Sequence, residues 1–274
     1  MTDSERMSAD IGFIGAGKMA EAMIGGLIAK GVFTKDQIAA CAPSQKTRDH
    51  IEKTYGIKMY QTAAELVDSS NLIVLAVKPK HVNGVFTEEN VEIGKGKTLI
   101  SIVAGLTLDK MNSYVPDAKK IRVMPNHCCM VLEGAMGYTC DPTMTDSEKE
   151  DVKRILSAVG LAVEVPESQM DAVTGIAGSS PAFMYMVIDS MADAGVLNGL
   201  SRDQAIKLAA QSMLGAAKMV LETGKHPDQL RDEVCSPGGT TIVGVKILED
   251  LGLRSAMASA IDGTIEKSRQ MSRE

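Results

Sequence analysis

The sequence predicts an α/β protein, with an N-terminal doubly wound sheet over residues 1–167 and an all-helical C-terminal domain over residues 168–274. Three observations carry this. Apolar, strand-like runs alternate with helical patterns from Ile11 to Val165, as when helices connect the parallel strands of one sheet. The first run ends in a glycine-rich turn, Gly15-Ala16-Gly17, that passes at once into a helical pattern, the context in which such a turn holds a dinucleotide. From Pro166 onward no strand-like run recurs.

The elements follow in order. Ile11–Gly15 is the first strand, and Lys18–Lys30 is a helix that stops at Gly31, a residue suited to a helix C-terminus. Gln37–Cys41 is a short second strand, Thr47–Tyr55 a helix stopped by Gly56, Ile57–Tyr60 a weak third strand and Thr62–Val67 helical. Asn71–Val77 is an unbroken apolar run, as expected of a strand buried on both faces. Lys78-Pro79 ends it, and Thr98–Val103 and Lys120–Met124 are further strands. Gly134–Cys140 reads as a strand joined to the last of these by a turn. Thr145-x-x-Glu148 is a capping box opening a helix to about Ala158, and Leu161–Val165 closes the sheet.

In the second domain Ser179-Ser180-Pro181 reads as a helix start, with Ser179 as N-cap and proline in the first turn, running to about Val196. Ser201-x-x-Gln204 opens another helix. Its stripe of Ile206, Ala210, Met213, Leu214, Ala217, Val220 and Leu221 is joined by Ala209, Gly215 and Ala216 on its other faces. A helix small and apolar nearly all round needs more cover than so short a domain supplies, so it is expected to pack against a second subunit. Pro227–Val234 is a short helix, and Ile242–Asp250 and a last helix from Leu253 follow the loop Cys235–Thr241.

Composition narrows the function. Hydrophobic residues make up 45% and charged residues 23%, as in ordinary globular proteins. Aromatics are 3% with no Trp, against 18 Met, so the core is aliphatic and thioether-rich. The net charge is −6 and no Lys/Arg cluster occurs, which argues against nucleic acid as a partner. Met1–Asp10 is polar and lacks the apolar stretch of a signal or anchor, and no run approaches the roughly 18 apolar residues of a membrane span. Cys41, Cys128, Cys129, Cys140 and Cys235 are odd in number and scattered, which fits reduced thiols and a cytoplasmic location. His50, His81, His127 and His226 match no metal-ligand spacing, and no metal is expected.

Chemistry belongs at the carboxyl ends of the strands. Three stretches meet this rule: Gly15–Met19, Ala76-Val77-Lys78-Pro79 and Ile102-Val103-Ala104-Gly105. Gly15 allows the tight turn, Gly17 lets a pyrophosphate approach the backbone, and Ala20 permits close helix–strand packing. The free N–H groups at the helix start would hold the phosphates. The second strand ends Ala40-Cys41-Ala42-Pro43 with no acid for a ribose 2′-hydroxyl, and Ser44, Lys46 and Arg48 follow. These suit a 2′-phosphate and favour NADP; the alternative is that Lys46 and Arg48 are ordinary surface charges of the next helix. Ser236-Pro237-Gly238-Gly239-Thr240-Thr241 places glycine N–H groups, three hydroxyls and the positive end of a helix together. That combination suits a carboxylate or phosphate, and its bland alternative is a long helix–helix loop. Between Arg154 and Arg202 there is no Lys, Arg or His, so the proton donor that hydroxyacid dehydrogenases of similar plan place on the first helix of their second domain is missing. Reducing an imine needs none, since the nitrogen arrives protonated; hydride delivery then rests on positioning and exclusion of water.

The chain resembles pyrroline-5-carboxylate reductase over nearly its whole length. The resemblance rests on Gly12-Phe13-Ile14-Gly15-Ala16-Gly17, Ala76–Pro79, Ile121–Asn126, Asp171–Gly175, Ser179–Phe183 and, most specifically, Asp232–Ile242. It implies NAD(P)H-dependent reduction of 1-pyrroline-5-carboxylate to L-proline, with NADPH the expected cofactor and NADH open. It implies a helical domain that interlocks in a homodimer, with five dimers often closing into a decamer. Carried over by position, the N–H groups of Gly239, Thr240 and Thr241 and the Ser236 hydroxyl would hold the substrate carboxylate. Thr241 would bond the ring nitrogen as the catalytic residue, and Glu233 and Gly238 complete the substrate set. Ile14, Gly15, Ala16, Gly17, Lys18, Met19, Ala42, Ser44, Lys46, Arg48, Ala76, Val77, Lys78, Pro79 and Ala104 would line the cofactor. The chain departs from the family pattern at Ser180, at His127-Cys128, and at Ala42 and Ala63 on the adenosine side. The alternatives are a reductase of another cyclic imine or small keto acid, and a dinucleotide-binding scaffold without turnover.

Overall fold

The structure, a computed structural model, describes residues 11–89 and 91–273. The expectation that Met1–Asp10 holds neither signal nor anchor lies outside the described residues. The strands are β1 (Ile11–Ile14), β2 (Ile38–Cys41), β3 (Lys58–Tyr60), β4 (Leu72–Leu75), β5 (Thr98–Ser101), β6 (Lys119–Met124), β7 (Gly134–Cys140) and β8 (Gly160–Glu164). They form one sheet in the order β3-β2-β1-β4-β5-β6-β7-β8. Neighbours are parallel except β6 and β7, which run antiparallel with Ile121 opposite Cys140. The chain reverses its winding direction between β1 and β4, the switch point of a doubly wound sheet.

Because strand side chains alternate, the sheet separates two cores. Phe13, Ala40, Val74, Ile100 and Ile121 pack on one face with Met23, Ile24 and Leu27 of α1 (Lys18–Ala29) and with Ile51 of α2 (Gln45–Tyr55). Ile14, Cys41, Ile73, Leu75 and Leu99 pack on the other with Leu66 and Val67 of α3 (Ala63–Ser69) and with Met111 of α4 (Leu108–Tyr114). α2 ends where Gly56 takes φ +66, and α5 (Asp146–Leu156) opens on the reciprocal Thr145–Glu148 box, as the sequence leads one to expect.

Two compact units are present: the chain through Gly178 joined by its last turns from Thr264, and Ser179–Gly263. In the first unit α6 (Met170–Val173) follows β8. The second unit holds α7 (Ser180–Leu197), α8 (Arg202–Thr223), α9 (Pro227–Glu233), α10 (Thr240–Asp250) and the start of α11 (Leu253–Arg273). α7 and α8 pack closely where a Cβ on Gly195 would come within 3.0 Å of Ala205 Cβ. Only Ala205 and Ala209 of α8 are buried, while Leu208 is 61% and Leu221 74% exposed. No helix among the described residues is long and apolar enough to cross a membrane.

Two local expectations are corrected. Ser179 is not an extended N-cap: its backbone is helical (φ −95°, ψ −30°) and its side chain caps nothing. The helical path begins earlier, at Met170, and passes through a π-turn at Thr174–Ser179. Pro181 has no N–H for the Ala177 carbonyl four residues back; Asn126 Nδ2 donates to that carbonyl instead, at 3.1 Å. The link from β6 to β7 is not a turn but a connection holding a 3-10 helix, His127–Val131. Buried Asn126 folds it back, its Oδ1 accepting from the Cys128 and Ala135 amides at 3.2 Å each. Finally, two helical pieces are additions to the reading: the π-turn Gly84–Glu88 after β4, and α4, whose first turn is capped by Thr107 accepting from the Lys110 amide.

Candidate functional site

The glycine turn after β1 lies at the switch point. Gly15 has φ +94°, and a Cβ there would meet the Ala76 carbonyl oxygen at 2.9 Å and Val77 Cγ1 at 3.2 Å. Glycine is thus demanded by the fold itself, where the turn crosses the end of β4. Gly17 differs. Its φ of −79° is ordinary, and a Cβ would find nothing within 4 Å. The protein makes no use of that space, so the absent side chain leaves room for a ligand. Gly17 is also the N-cap of α1 and no side chain caps its first turn, leaving the amides after Lys18 for an anion. Ala16 and Ala20 are buried, Lys18 is exposed and Met19 half-buried. The arrangement fits the pyrophosphate of a dinucleotide.

Beside this turn a cavity of about 320 Å³ takes in Ile14, Gly15, Ala42, Val77 and Lys78, five of the expected cofactor residues. Pro79 and Ala104 line a separate cavity of about 350 Å³ with Val82, Asn83 and Tyr114. Ala76 is half-buried at the end of β4, its amide donating to Ile14 O at 2.9 Å. The segment after Ala104 is anchored from below: Glu167 Oε1 accepts from the Leu108 amide at 2.7 Å and pairs with buried Arg122 at 3.2 Å.

On the adenosine side, Ser44 is the N-cap of α2 and its hydroxyl makes no cap bond. Arg48 folds back over the β2–α2 loop, donating to Ala42 O at 2.5 Å, Pro43 O at 2.9 Å and Gln45 Oε1 at 2.6 Å. It shapes the loop, and Lys46 stands exposed beside it. The cavity also holds Gln61, His81, Val85, Glu88 and Glu89, none of which the sequence singled out. The available signal was positional: they follow β4 and precede α3 at the strand ends where ligands bind.

The other residues expected to act lie in the second unit. Gly239 N donates to Ser236 O at 3.0 Å, closing a four-residue turn with Pro237 second and Gly238 third at φ +68°. This is the type II pattern, in which proline presets one position and glycine alone adopts the next without strain. Gly239 is then the N-cap of α10 and has no side chain to cap it. Its own amide serves the turn, so the first-turn amides of Thr240 and Thr241 are the ones presented, next to their two exposed hydroxyls and that of Ser236. Glu233 ends α9 and is bridged to Lys225 Nζ at 2.7 Å. Among the described residues no group of three or more His, Cys, Asp or Glu gathers to hold a metal.

Two family models match separate stretches of the chain. A family model described as pyrroline-5-carboxylate reductase dimerisation matches residues 167–271, and one described as NADP oxidoreductase, coenzyme F420-dependent, matches residues 10–105. The pyrroline-5-carboxylate reductase of Methanosarcina acetivorans is 43% identical over 262 residues, covering 95% of this chain and 97% of that protein. That of Escherichia coli K12 is 41% identical over 268 residues, covering 97% and 100%. Among solved structures, a pyrroline-5-carboxylate reductase from Coxiella burnetii matches with a TM-score of 0.91 at 30% identity, covering 96% of this chain and 98% of that one. The Plasmodium falciparum pyrroline carboxylate reductase with NADP bound matches at 0.83 and 32%, covering 97% and 98%. The glycine turn falls within the part matched by the NADP oxidoreductase model, and the exposed apolar helices fall within the part matched by the dimerisation model. The chain belongs to the pyrroline-5-carboxylate reductase family.

Proposed function

We propose that the chain reduces 1-pyrroline-5-carboxylate to L-proline with NADPH, or with NADH in its place. The observation that carries this is the Ser236–Thr241 turn, an anion nest built on a glycine N-cap in a family whose members reduce a cyclic imine bearing a carboxylate. The Thr240 and Thr241 amides and the Ser236 hydroxyl hold the substrate carboxylate, Gly238 keeps the turn open, and Glu233 borders it. When bound, the reduced nicotinamide supplies the hydride. Thr241 Oγ holds the ring nitrogen and so fixes which carbon faces that hydride. No side chain has to deliver a proton, because the imine nitrogen carries one on arrival. Gly15, Gly17, Lys18 and Met19 hold the pyrophosphate, Ala76–Pro79 and Ala104 line the nicotinamide side, and Ala42, Ser44, Lys46 and Arg48 border the adenosine.

The functional boundary is put at 167/168, and the start of the dimerisation model's match at residue 167 supports it. The exposed apolar residues of α7 and α8, Leu197 at 85% among them, support a dimer through the helical domain. The five cysteines form no disulfide, which supports the cytoplasm as its place. A substrate comparison tests the reading. 1-Pyrroline, which lacks the carboxylate, should be reduced with a far lower kcat/KM than pyrroline-5-carboxylate. Equal turnover of the two would remove the role given to the Ser236–Thr241 turn.

A further inference from the structure

The cavity beside the glycine turn extends past that turn to the segment after β4. Its walls include the apolar side chains Ala42, Ala63, Val77 and Val85, from the ends of β2 and β4, the start of α3 and the π-turn Gly84–Glu88, with the polar Gln61, Lys78 and His81 also in the lining. Its polar lining includes two carboxylates, Glu88 and Glu89, at the end of the π-turn Gly84–Glu88 and one residue beyond. Glu88 Oε2 lies over Gly84, 3.6 Å from where a Cβ would stand, and Gly84 itself lines the cavity. Among the described residues neither carboxylate has an ion-pair or hydrogen-bond partner.

Apolar walls with a polar edge suit a flat heteroaromatic ring whose rim carries hydrogen-bonding groups. An ionised carboxylate only accepts hydrogen bonds. The rim it selects must therefore donate, and the donor on adenine is the exocyclic amine. We infer that Glu88 and Glu89 are specificity-determining residues that read the exocyclic amine of the cofactor's adenine, selecting adenine over a purine carrying a carbonyl at that position. The inference rests on the cofactor placement proposed above. It concerns the base alone and is independent of the ribose 2′ substituent.

The test is equilibrium binding, followed by nicotinamide fluorescence under direct excitation, since the chain has no Trp to interfere. Reduced NADPH is compared with its hypoxanthine analogue, in which a carbonyl replaces the amine. Wild type should bind the analogue about tenfold or more weakly, the scale of one charged hydrogen bond lost. Glu88→Gln, Glu89→Gln and the double variant each keep shape but add a donor. At least one should bring the two dissociation constants to within about twofold, because the amide now donates to the carbonyl. A merely structural role would weaken both nucleotides together and leave their ratio unchanged. Equal binding of the two nucleotides by wild type, or a ratio that all three variants preserve, overturns the inference while leaving the cofactor placement intact. Failure of wild type to bind either nucleotide would overturn the placement itself.

Discussion

Two glycines two residues apart should fail in opposite ways. Gly15→Ala puts a methyl 2.9 Å from the Ala76 carbonyl oxygen in a residue held at φ +94°. Forcing a side chain into that backbone region costs about 1–3 kcal/mol. Thermal unfolding should register this as a fall of roughly 2–4 °C for each kcal/mol. Gly17→Ala puts the same methyl where no atom lies within 4 Å, at a φ of −79°. At an N-cap glycine outranks alanine, so the exchange costs the fold about 0.5–1 kcal/mol, and the melting temperature should fall less than that of Gly15→Ala. On the proposed cofactor placement, what the methyl meets is the pyrophosphate. Overpacking of about 1–3 kcal/mol corresponds to a roughly 5- to 150-fold rise in Kd for NADPH. Fluorescence titration and thermal melts on both variants separate the two effects. The reasoning is refuted if Gly17→Ala binds NADPH as wild type does, or melts as early as Gly15→Ala.

Thr241→Ala should remove one hydrogen bond to a charged group, about 1.5–3 kcal/mol, and lower kcat/KM for the pyrroline roughly 10- to 150-fold with the KM for NADPH little changed, as steady-state kinetics would record. Asp141→Asn should cost about 3 kcal/mol in chemical denaturation, because it leaves Lys120, with a side chain only 8% exposed, without its anionic partner. The effect should depend on pH: against the opposing pull of burial, two bonds from Thr143 and the Lys120 charge hold the Asp141 carboxyl below its usual 3.8. Its contribution is therefore complete above that value and lost as pH falls through the depressed one, so the stabilities of variant and wild type should converge in acid. Leu214→Asp, at a position 56% exposed in the single chain, should abolish the dimer in light scattering and the activity with it.

The parallel core was legible because its strands are short unbroken apolar runs; Ile11–Ile14 and Leu72–Leu75 fall inside the runs read from the sequence. α2 and α5 were legible from their ends, where Gly56 and the Thr145–Glu148 box act through local backbone chemistry. α4 was missed because a seven-residue helix is too short for its periodicity to stand out, although Thr107 marked its start. The Ser179 start misled because a serine before a proline has the same local signature whether the chain enters a helix there or is already helical. The difference lies in Asn126, 51 residues from the carbonyl it bonds. Along the site, Gly15 and Ser236–Thr241 could be read because turns needing φ > 0 leave glycine in the sequence. Arg48 could be noticed but not assigned, since its bonds to Ala42 O and Pro43 O show no trace in spacing. Glu88 and Glu89 carried no local signal at all, because only the folded sheet brings the segment after β4 into one cavity with the end of β2.

The central claim is that a hydride passes from the nicotinamide to the imine carbon of a carboxylate-bearing pyrroline. Turnover of pyrroline-5-carboxylate with NADPH deuterated in the transferable C4 position tests it most directly. The account predicts one proline per nucleotide oxidised, carrying one deuterium on the ring carbon that had been the imine carbon. Proline without that deuterium, or bound nucleotide that is never oxidised in the presence of the pyrroline, would contradict it.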